Sequence, residues 1–484
     1  MKRTVLLLAG TIALGCAASA AELNFTPLKS SGIYAVGESV GWTVSLPSSV
    51  TTPPDVTYTY TVKANAAETI GSGTFDVTTG AATIKFSLDH PAMVTVSVDR
   101  SGAPPPAKPA PADANKVNDS LKALLAKNDP ALKAIFDKYP DYCLIPAPCA
   151  AVGPDIGPSP LPETHVAVLG AAIAPTAIAP SAAKPADFDA FWAAKLAALS
   201  RIAPRPVLVS LTTPVPGIKL YMVQLDSLGS RAHGYLAVPA RKGKFPAMIQ
   251  YQWAGVYALS PSACATRAAE GWLCLDVSSH DLPPDQGAGA PKNYYEIGNE
   301  SRETSYFLSM YLRDTQALDW VRTLPSWNKK TLVITGTSMG GQQSLVTAGL
   351  NPGKITAVVV NEPSGGDSNA ELNERQAAYP NWPVNDPKVA QTARYFDTAN
   401  FAAKITAPTL VAVGFIDTVC PPATVLSAFN RIPAPKELVP MTESDHNNYT
   451  PDKQGAFLSR AEDIFATLVH GGRFVPNPGP AMGK

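Results

Sequence analysis

The chain has 484 residues, more than one average domain needs and enough to bury a large hydrophobic core. Its 39 Lys and Arg residues balance its 39 Asp and Glu residues, so the formal net charge is zero. A neutral chain without long runs of one charge argues against nucleic acid or an anionic membrane surface as the main partner. The zero net charge is more compatible with a neutral substrate than with a highly charged one.

The first 21 residues are predicted to be a secretory signal peptide. Lys2 and Arg3 precede a short apolar run, and Ala20 and Ala21 offer a small-residue cleavage site. The apolar run is shorter than the roughly 20 residues that a membrane span requires, which argues against an anchor. Lipoprotein-type cleavage at Cys16 is the weaker alternative. We therefore expect a secreted or periplasmic protein without a membrane span.

Residues 22–100 are predicted to form a small β-sandwich of the immunoglobulin-like type. Apolar and polar side chains alternate in four short runs, in which β-branched and aromatic residues are frequent. Gly, Pro, Asn and Asp separate these runs, as the turns of a sandwich require. The runs are residues 40–46, 56–62, 84–88 and 94–98.

Residues 101–180 are predicted to be a linker rich in proline and alanine, with one helical segment at 113–139. From residue 181 to 484, apolar strand-like runs alternate with helical patterns. Continuous apolar runs such as 332–334 and 410–413 indicate a parallel sheet covered on both faces by helices. The predicted fold class is therefore α/β, a doubly wound and mostly parallel sheet preceded by a small all-β domain.

The sequence Gly336-Thr-Ser338-Met-Gly340 lies between a predicted strand and a predicted helix. A nucleophile elbow has this pattern, because the strand-to-helix turn is so tight that Cβ atoms at the glycine positions would clash. The hydroxyl of Ser338 then stands above the sheet at a helix start, where free N–H groups favour a developing anion. The alternative is a Gly-rich turn with a helix-capping serine. We predict Ser338 to be the nucleophile of an α/β-hydrolase.

A serine hydroxyl needs a neighbouring base, and in this fold the acid and then the histidine follow the serine along the chain. Only His446 and His470 follow Ser338. His446 lies in a polar loop after a short strand and before the last predicted helix. His470 lies at the end of that apolar helix, where it interacts with the helix dipole. His446 is therefore the predicted general base.

The predicted acid is Asp417, which closes the apolar strand at 409–417 and so emerges at the same sheet edge as the serine. Glu362 ends the neighbouring strand and is the alternative acid. Asp445 is a weaker alternative. The alternative without a catalytic role is that Asp417 caps the following helix, before Pro421 and Pro422.

The oxyanion hole is predicted to use two backbone N–H groups. One belongs to Met339, directly after the nucleophile, and the other to Trp253 or Ala254 in the loop after the strand at 245–250. Because these roles involve only the backbone, the side chains give little information about them.

Four segments of the second half of the chain form a recognisable set: PADFDAFW at 185–192, YLAVP at 235–239, YLRDTQALDW at 311–320 and FIDTVCPPATV at 415–425. Together they resemble the acetyl xylan esterase and cephalosporin-C deacetylase family, carbohydrate esterase family seven, and the Asp-x-x-Cys-Pro-Pro stretch is the most specific part. The resemblance covers about residues 180–472 and leaves out the β-rich domain. It implies Ser338 as nucleophile, Asp417 as acid and His446 as base, with Cys420 as a structural neighbour of the acid.

The sequence departs from the pattern of that family at three places. Residues 276–281 read DVSSHD where the family has an Arg-Gly-Gln signature, Met339 stands where Gln is usual, and Asn447 instead of Glu follows His446. The chain therefore resembles a divergent branch, and neither the substrate nor the hexameric ring of typical members is carried over to it.

The sequence predicts a secreted serine esterase that hydrolyses acyl esters, mainly acetyl esters, of carbohydrates through an acyl-enzyme intermediate. It needs no cofactor and no metal. A secreted serine peptidase of the same fold is one alternative, although the β-rich region is too small for the propeller that such enzymes carry. A non-catalytic glycan-binding protein on a hydrolase scaffold is the other.

Five cysteines remain once the signal peptide is removed, and their spacing matches no metal site. In an oxidising compartment two pairs come into question, Cys143 with Cys149 and Cys264 with Cys274. The sequence does not fix this connectivity.

Overall fold

The computed structural model of the chain describes residues 23–48, 56–101, 164–287, 290–447 and 451–478. The predicted signal peptide, the predicted helix at 113–139, and Cys143 with Cys149 lie outside these residues. In the described ranges, no helix has both the length and the apolar character needed to cross a bilayer.

The N-terminal region consists of β-strands that form two sheets around a shared core. The predicted alternation explains this arrangement, because Val40, Trp42 and Val44 of one sheet and Val94, Val96 and Val98 of the other point to the same buried cluster. The predicted all-β sandwich is confirmed. The strands are β1 (Asn24–Pro27), β2 (Ile33–Tyr34), β3 (Val40–Ser45), β4 (Thr57–Ala64), β5 (Glu68–Phe75), β6 (Ala82–Phe86), β7 (Ala92–Ser101) and β8 (His165–Ile173). The sheet orders are β1-β3-β6 and β2-β8-β7-β4-β5.

Strand β8 changes the predicted extent of the sandwich. It falls within the predicted linker at 101–180, yet it pairs antiparallel with β7 from Ala92↔Ile173 to Asp99↔His165. The period-two pattern is absent because both faces of β8 are buried. Ala171 and Ile173 face the sandwich core, whereas Ala172 faces the core of the following α/β unit.

A nine-stranded sheet forms the second unit, with helices on both faces. Strands β12 to β17 are parallel, and β9 to β11 are antiparallel at one edge. The strands are β9 (Val207–Leu211), β10 (Ile218–Ser227), β11 (Ser230–Pro239), β12 (Phe245–Tyr251), β13 (Leu273–Ser278), β14 (Trp327–Thr337), β15 (Ala357–Asn361), β16 (Thr409–Gly414) and β17 (Lys436–Met441), in the order β17-β16-β15-β14-β12-β13-β11-β10-β9. The predicted α/β class with a mostly parallel sheet is confirmed.

The helices of this unit cover the sheet with apolar faces. Short 3₁₀ turns lie at Pro175–Ala177, Tyr294–Glu296 and Ala370–Asn373. The helices are α1 (Phe188–Leu199), α2 (Pro261–Glu270), α3 (Tyr306–Val321), α4 (Met339–Leu350), α5 (Pro387–Ala393), α6 (Thr398–Ala402), α7 (Pro422–Arg431) and α8 (Pro451–Val469).

The sandwich and the α/β unit share one hydrophobic core. Met93 and Ala172 of the sandwich belong to the same buried cluster as Val413 and Phe415 of the sheet. The two units are in close contact at Gly170, where an added Cβ would lie 2.5 Å from the Cβ of Phe415. Only glycine fits this position without displacing Phe415, which lies two residues before Asp417.

The pair Cys264 and Cys274 forms no disulfide. Both residues are buried free thiols. The Cys264 thiol faces the carbonyl oxygen of Pro261 at 3.5 Å, and the Cys274 thiol faces Oε1 of Gln250 at 3.6 Å. Each sulfur therefore packs as a small apolar group within the cluster under α2.

We expect Gly170→Ala to lower the free energy of unfolding by about 1–3 kcal/mol, because the new methyl group overpacks the contact with Phe415. Gly71→Ala is the matched control, since Gly71 also lies in a strand and nothing surrounds its added Cβ within 4 Å. Urea unfolding of both variants measures the difference. Equal free energies of unfolding for the two variants would show that Gly170 and Phe415 are not in close contact.

Candidate active site

The backbone turns sharply at Ser338, between the end of β14 and the start of α4. Ser338 has φ 57° and ψ −123°, a conformation that non-glycine residues adopt only under strain. The glycines at both sides are required by contact. A Cβ at Gly336 would lie 2.4 Å from the carbonyl carbon of Gly340, and a Cβ at Gly340 would lie 2.2 Å from the carbonyl oxygen of Tyr251. A hydrogen bond from the Ser338 N–H to the Asn361 carbonyl at 3.0 Å helps to hold the turn.

Three buried side chains form a hydrogen-bonded row at this turn. Nε2 of His446 lies 2.9 Å from Oγ of Ser338, and Nδ1 lies 2.7 Å from Oδ2 of Asp417. The other carboxylate oxygen of Asp417 accepts hydrogen bonds from the N–H groups of Val419 at 2.8 Å and Cys420 at 2.7 Å. With its Nδ1–H donated to the carboxylate, the imidazole has the lone pair of Nε2 directed at the serine hydroxyl.

The sheet topology accounts for this convergence. Strands β14, β15, β16 and β17 are adjacent and parallel, so their carboxyl ends lie along one edge of the sheet. Ser338 follows β14, Glu362 follows β15, Asp417 follows β16 and His446 follows β17. Polar groups at the carboxyl ends of neighbouring parallel strands form the usual ligand site of this architecture.

The alternative acid Glu362 lies beside the row without joining it. Its Oε2 is 3.9 Å from Nδ1 of His446, too long for a hydrogen bond. The carboxyl is fully buried, and burial, with a further contribution from the charge of Asp417, raises the pKa of Glu362 well above its ordinary value. Asp445 instead accepts the N–H of Asn447 at 3.0 Å. His470 is exposed and lies beyond the end of α8.

The backbone groups predicted for the oxyanion hole lie next to the turn. Met339 is the first residue of α4, so its N–H has no acceptor within the helix. The end of β12 and the first residue of the following loop touch the start of this helix, because a Cβ at Gly340 would lie 2.2 Å from the Tyr251 carbonyl oxygen and 3.3 Å from that of Gln252. In the described part of the chain, no hydrogen bond uses the N–H of Trp253 or of Ala254. The N–H groups predicted for the oxyanion hole are therefore not used by other hydrogen bonds in the described ranges.

A second group of residues, which the motifs did not reveal, holds this loop in place. His280 places Nε2 3.0 Å from the Gly255 carbonyl oxygen and Nδ1 2.8 Å from the hydroxyl of Tyr306. The N–H of Gly255 donates to the hydroxyl of Tyr294 at 3.0 Å. Both backbone groups of the residue after Ala254 are thereby fixed. The sequence pointed to this group in one way only: His280 lies in residues 276–281, which differ from the pattern of the family.

One group of side chains in the described ranges has metal-ligand chemistry. Potential ligand atoms of Asp417, Cys420 and His446 lie within 4.8 Å of one another. The Asp417 oxygens and the His446 nitrogens already contact N–H and hydroxyl groups of the protein, so a cation would have to displace these bonds. Burial raises the pKa of the Cys420 thiol well above its ordinary value, which disfavours a thiolate nucleophile.

Comparison with known proteins identifies the family. The family model of acetyl xylan esterases (AXE1) matches residues 177–461, more than half of the chain. The chain belongs to the acetyl xylan esterase family. The acetyl esterase Axe7A of Xylanibacter ruminicola is 32% identical over 314 residues, which are 60% of this chain and 70% of that protein. The predicted family resemblance is confirmed, and the protein is a carboxylic ester hydrolase.

Solved structures of similar proteins support the fold. An acetyl xylan esterase from Paenibacillus sp. R4 matches with a TM-score of 0.53 and 23% identity, over 60% of this chain and 98% of that chain. Acetyl xylan esterase 1 from Thermoanaerobacterium sp. JW/SL YS485 matches with a TM-score of 0.55 and 22% identity, over 61% and 97%. The family model begins at residue 177, after the last strand of the sandwich, so the sandwich is an addition to the family's common part.

We expect His280→Gln to reduce the pH dependence of stability between pH 4 and 6.5. Burial lowers the pKa of His280 to about 4, below its ordinary value of 6.5. The unfolded chain therefore binds a proton in this window that the folded chain does not, and stability is lost as the pH falls from 6.5 towards 4. One such proton contributes at most about 1.4 kcal/mol per pH unit.

The glutamine variant lacks this proton and should show a shallower slope in urea unfolding across the window. His470→Gln, which removes an exposed imidazole, is the matched control. An unchanged slope in His280→Gln would mean that His280 takes up its proton over the same pH range in the folded and the unfolded protein, which contradicts the lowered pKa of the buried ring.

Proposed function

We propose that the protein is a secreted serine esterase that removes acyl groups, mainly acetyl groups, from carbohydrate esters. The observation that carries the proposal is the hydrogen-bonded row from Asp417 through His446 to Ser338, with distances of 2.7 and 2.9 Å, at a strained strand-to-helix turn. The basic N-terminus with its apolar run supports secretion.

In this mechanism, Nε2 of His446 takes the proton of the Ser338 hydroxyl while Oγ attacks the ester carbonyl. The carboxylate of Asp417 holds the ring in the productive tautomer and stabilises the imidazolium. The N–H groups of Met339 and of Trp253 or Ala254 bind the oxyanion, each stabilising the transition state by about 3 kcal/mol. His446 then protonates the leaving alcohol, and a water molecule releases the acid from the acyl-enzyme by the same route in reverse.

The acetyl preference is supported by relatives and by the surroundings of the nucleophile. Axe7A is named an acetyl esterase, and the two solved relatives are named acetyl xylan esterases. Next to Ser338, the sulfur of Met339 lies 3.4 Å from the hydroxyl of Tyr294 and 3.8 Å from that of Tyr379. All three side chains are buried, and Met339 directly follows Ser338 in the chain. We infer that this close packing near the nucleophile limits the room for the acyl chain and so favours a short acyl group.

The experiment uses purified protein with 4-nitrophenyl acetate, acetylated xylan and an aminoacyl anilide. We expect turnover of both esters and not of the anilide. Ser338→Ala should lower kcat by about 10⁴-fold or more, because the hydroxyl is the proposed nucleophile. Ser72→Ala, which changes an exposed serine of the sandwich, is the control. Anilide turnover would favour a peptidase, and no turnover of any substrate would favour a binding protein.

A further inference from the structure

Glu362 is a second fully buried carboxyl group next to the proposed triad, and it contacts the segments that carry Asp417 and His446 as well as helix α8. Its Oε1 lies 3.1 Å from the hydroxyl of Ser444, two residues before His446. Its Oε2 accepts a hydrogen bond from Nε2 of Gln454 on α8 at 3.1 Å. An added Cβ at Gly414, at the end of the Asp417 strand, would lie 2.5 Å from Oε1. No shorter side chain at 362 would reach all of these partners.

The hydrogen bonds around Ser444 indicate where the proton of this carboxyl lies. The Ser444 hydroxyl has one hydrogen and two oxygen neighbours, Oε1 of Glu362 at 3.1 Å and the Asp445 carbonyl at 3.0 Å. A hydroxyl turned towards Oε1 donates to Glu362, whereas one turned towards the Asp445 carbonyl accepts from Glu362, and only the second arrangement satisfies both oxygen neighbours. Glu362 can donate only when it is protonated.

The charges around Glu362 favour the same state. The ionisable groups that face it are Asp417, Asp445, His446 and Cys420. In the described part of the chain, no lysine or arginine forms an ion pair with it. A single imidazolium would have to balance two buried carboxylates, which the low dielectric of the interior disfavours.

We propose that Glu362 is a positioning residue that is protonated in the resting enzyme, holds the His446 loop through Ser444, and serves as the acid for His446 when Asp417 is removed. The proposal rests on the proposed roles of Ser338, His446 and Asp417. With the Asp417 side chain absent, Glu362 releases its proton to solvent. Its Oε2, 3.9 Å from Nδ1, then needs a shift of about 1 Å to reach hydrogen-bond distance.

The positioning role is tested by comparing Glu362→Gln with Glu362→Ala. An amide has the hydrogen-bond pattern of the protonated acid, because it donates to Ser444 and accepts from Gln454. We expect Glu362→Ala to lower kcat at least about tenfold more than Glu362→Gln, with a smaller change in KM, since a displaced base lowers the rate of the chemical step. Glu443→Gln, in the same loop and paired with Lys453 at the surface, is the control.

Equal losses in Glu362→Gln and Glu362→Ala would overturn the proposal, because the enzyme would then require a carboxylate at 362. Infrared spectroscopy of the otherwise unchanged protein provides an independent measurement. A protonated-carboxyl C=O band at neutral pH that disappears in Glu362→Gln supports the proposal. Because burial also raises the pKa of the Asp314 carboxyl well above its ordinary value, the decisive readout is the difference spectrum between the unchanged protein and Glu362→Gln. A difference spectrum without a lost protonated-carboxyl C=O band contradicts the proposal.

The reserve role is tested at position 417. In Asp417→Asn, the amide donates to Nδ1 and fixes the unproductive tautomer. In Asp417→Ala, the ring is free to bind ionised Glu362, so we expect Asp417→Ala to retain at least about tenfold more kcat than Asp417→Asn. Its kcat should also rise with pH as Glu362 loses its proton. In the double variant Asp417→Ala/Glu362→Gln, we expect kcat to fall to that of Asp417→Asn and to lose its rise with pH.

If the double variant is as active as Asp417→Ala, Glu362 is not the reserve acid. Circular dichroism of each variant separates this outcome from loss of the fold. Failure of the proposed triad gives a different result, since Ser338→Ala would then keep its esterase activity whatever residue stands at 362.

Discussion

The tight turn at Ser338 is the constraint on which the rest of the site depends. The hydroxyl stands clear of the sheet because the backbone at 338 takes a positive φ, and that turn closes only because Gly336 and Gly340 have no Cβ. The same close packing sets the distance between α4 and the loop after β12. A single steric requirement therefore places the proposed nucleophile and the proposed oxyanion donors side by side.

Burial determines how the titratable groups around this turn divide their tasks. Asp417 receives two backbone N–H groups as well as the imidazole, so its negative charge is solvated by the protein. Glu362 receives no such set of donors and contacts Ser444 and Gln454 instead. The two carboxyl groups thus differ in the donors around them, because only Asp417 lies at hydrogen-bond distance from the imidazole and accepts two backbone N–H groups. This difference is the physical reason to propose Asp417 as the acid.

The parts of the fold with a strong local pattern were predictable from the sequence. Period-two alternation gave the strands of the sandwich, and continuous apolar runs gave the parallel sheet. The Asp-x-x-Cys-Pro-Pro stretch with its companion segments gave the family, which the comparisons confirm. The catalytic roles of Ser338, Asp417 and His446 stay predictions that the experiments above address.

Features that depend on tertiary packing were not predictable. Strand β8 has no alternation because both of its faces are buried, so its sequence resembled a linker. Cys264 and Cys274 are near in sequence, but packing holds both as free thiols. The support of Gly255 by His280 and Tyr294 joins residues that no short motif connects. The spacing of residues along a chain does not report such contacts.

The seating of Phe415 against Gly170 has a consequence for how this protein can change over evolutionary time. Gly170 belongs to the sandwich and Phe415 to the α/β unit, and an added Cβ at 170 would lie 2.5 Å from the Cβ of Phe415. Every residue except glycine carries a Cβ, so no other side chain at 415 makes room for one at 170 while the backbone stays in place. The last strand of the sandwich is thereby tied to the acid-bearing loop, and lineages that carry this architecture should inherit the two units as one block, with glycine kept at position 170.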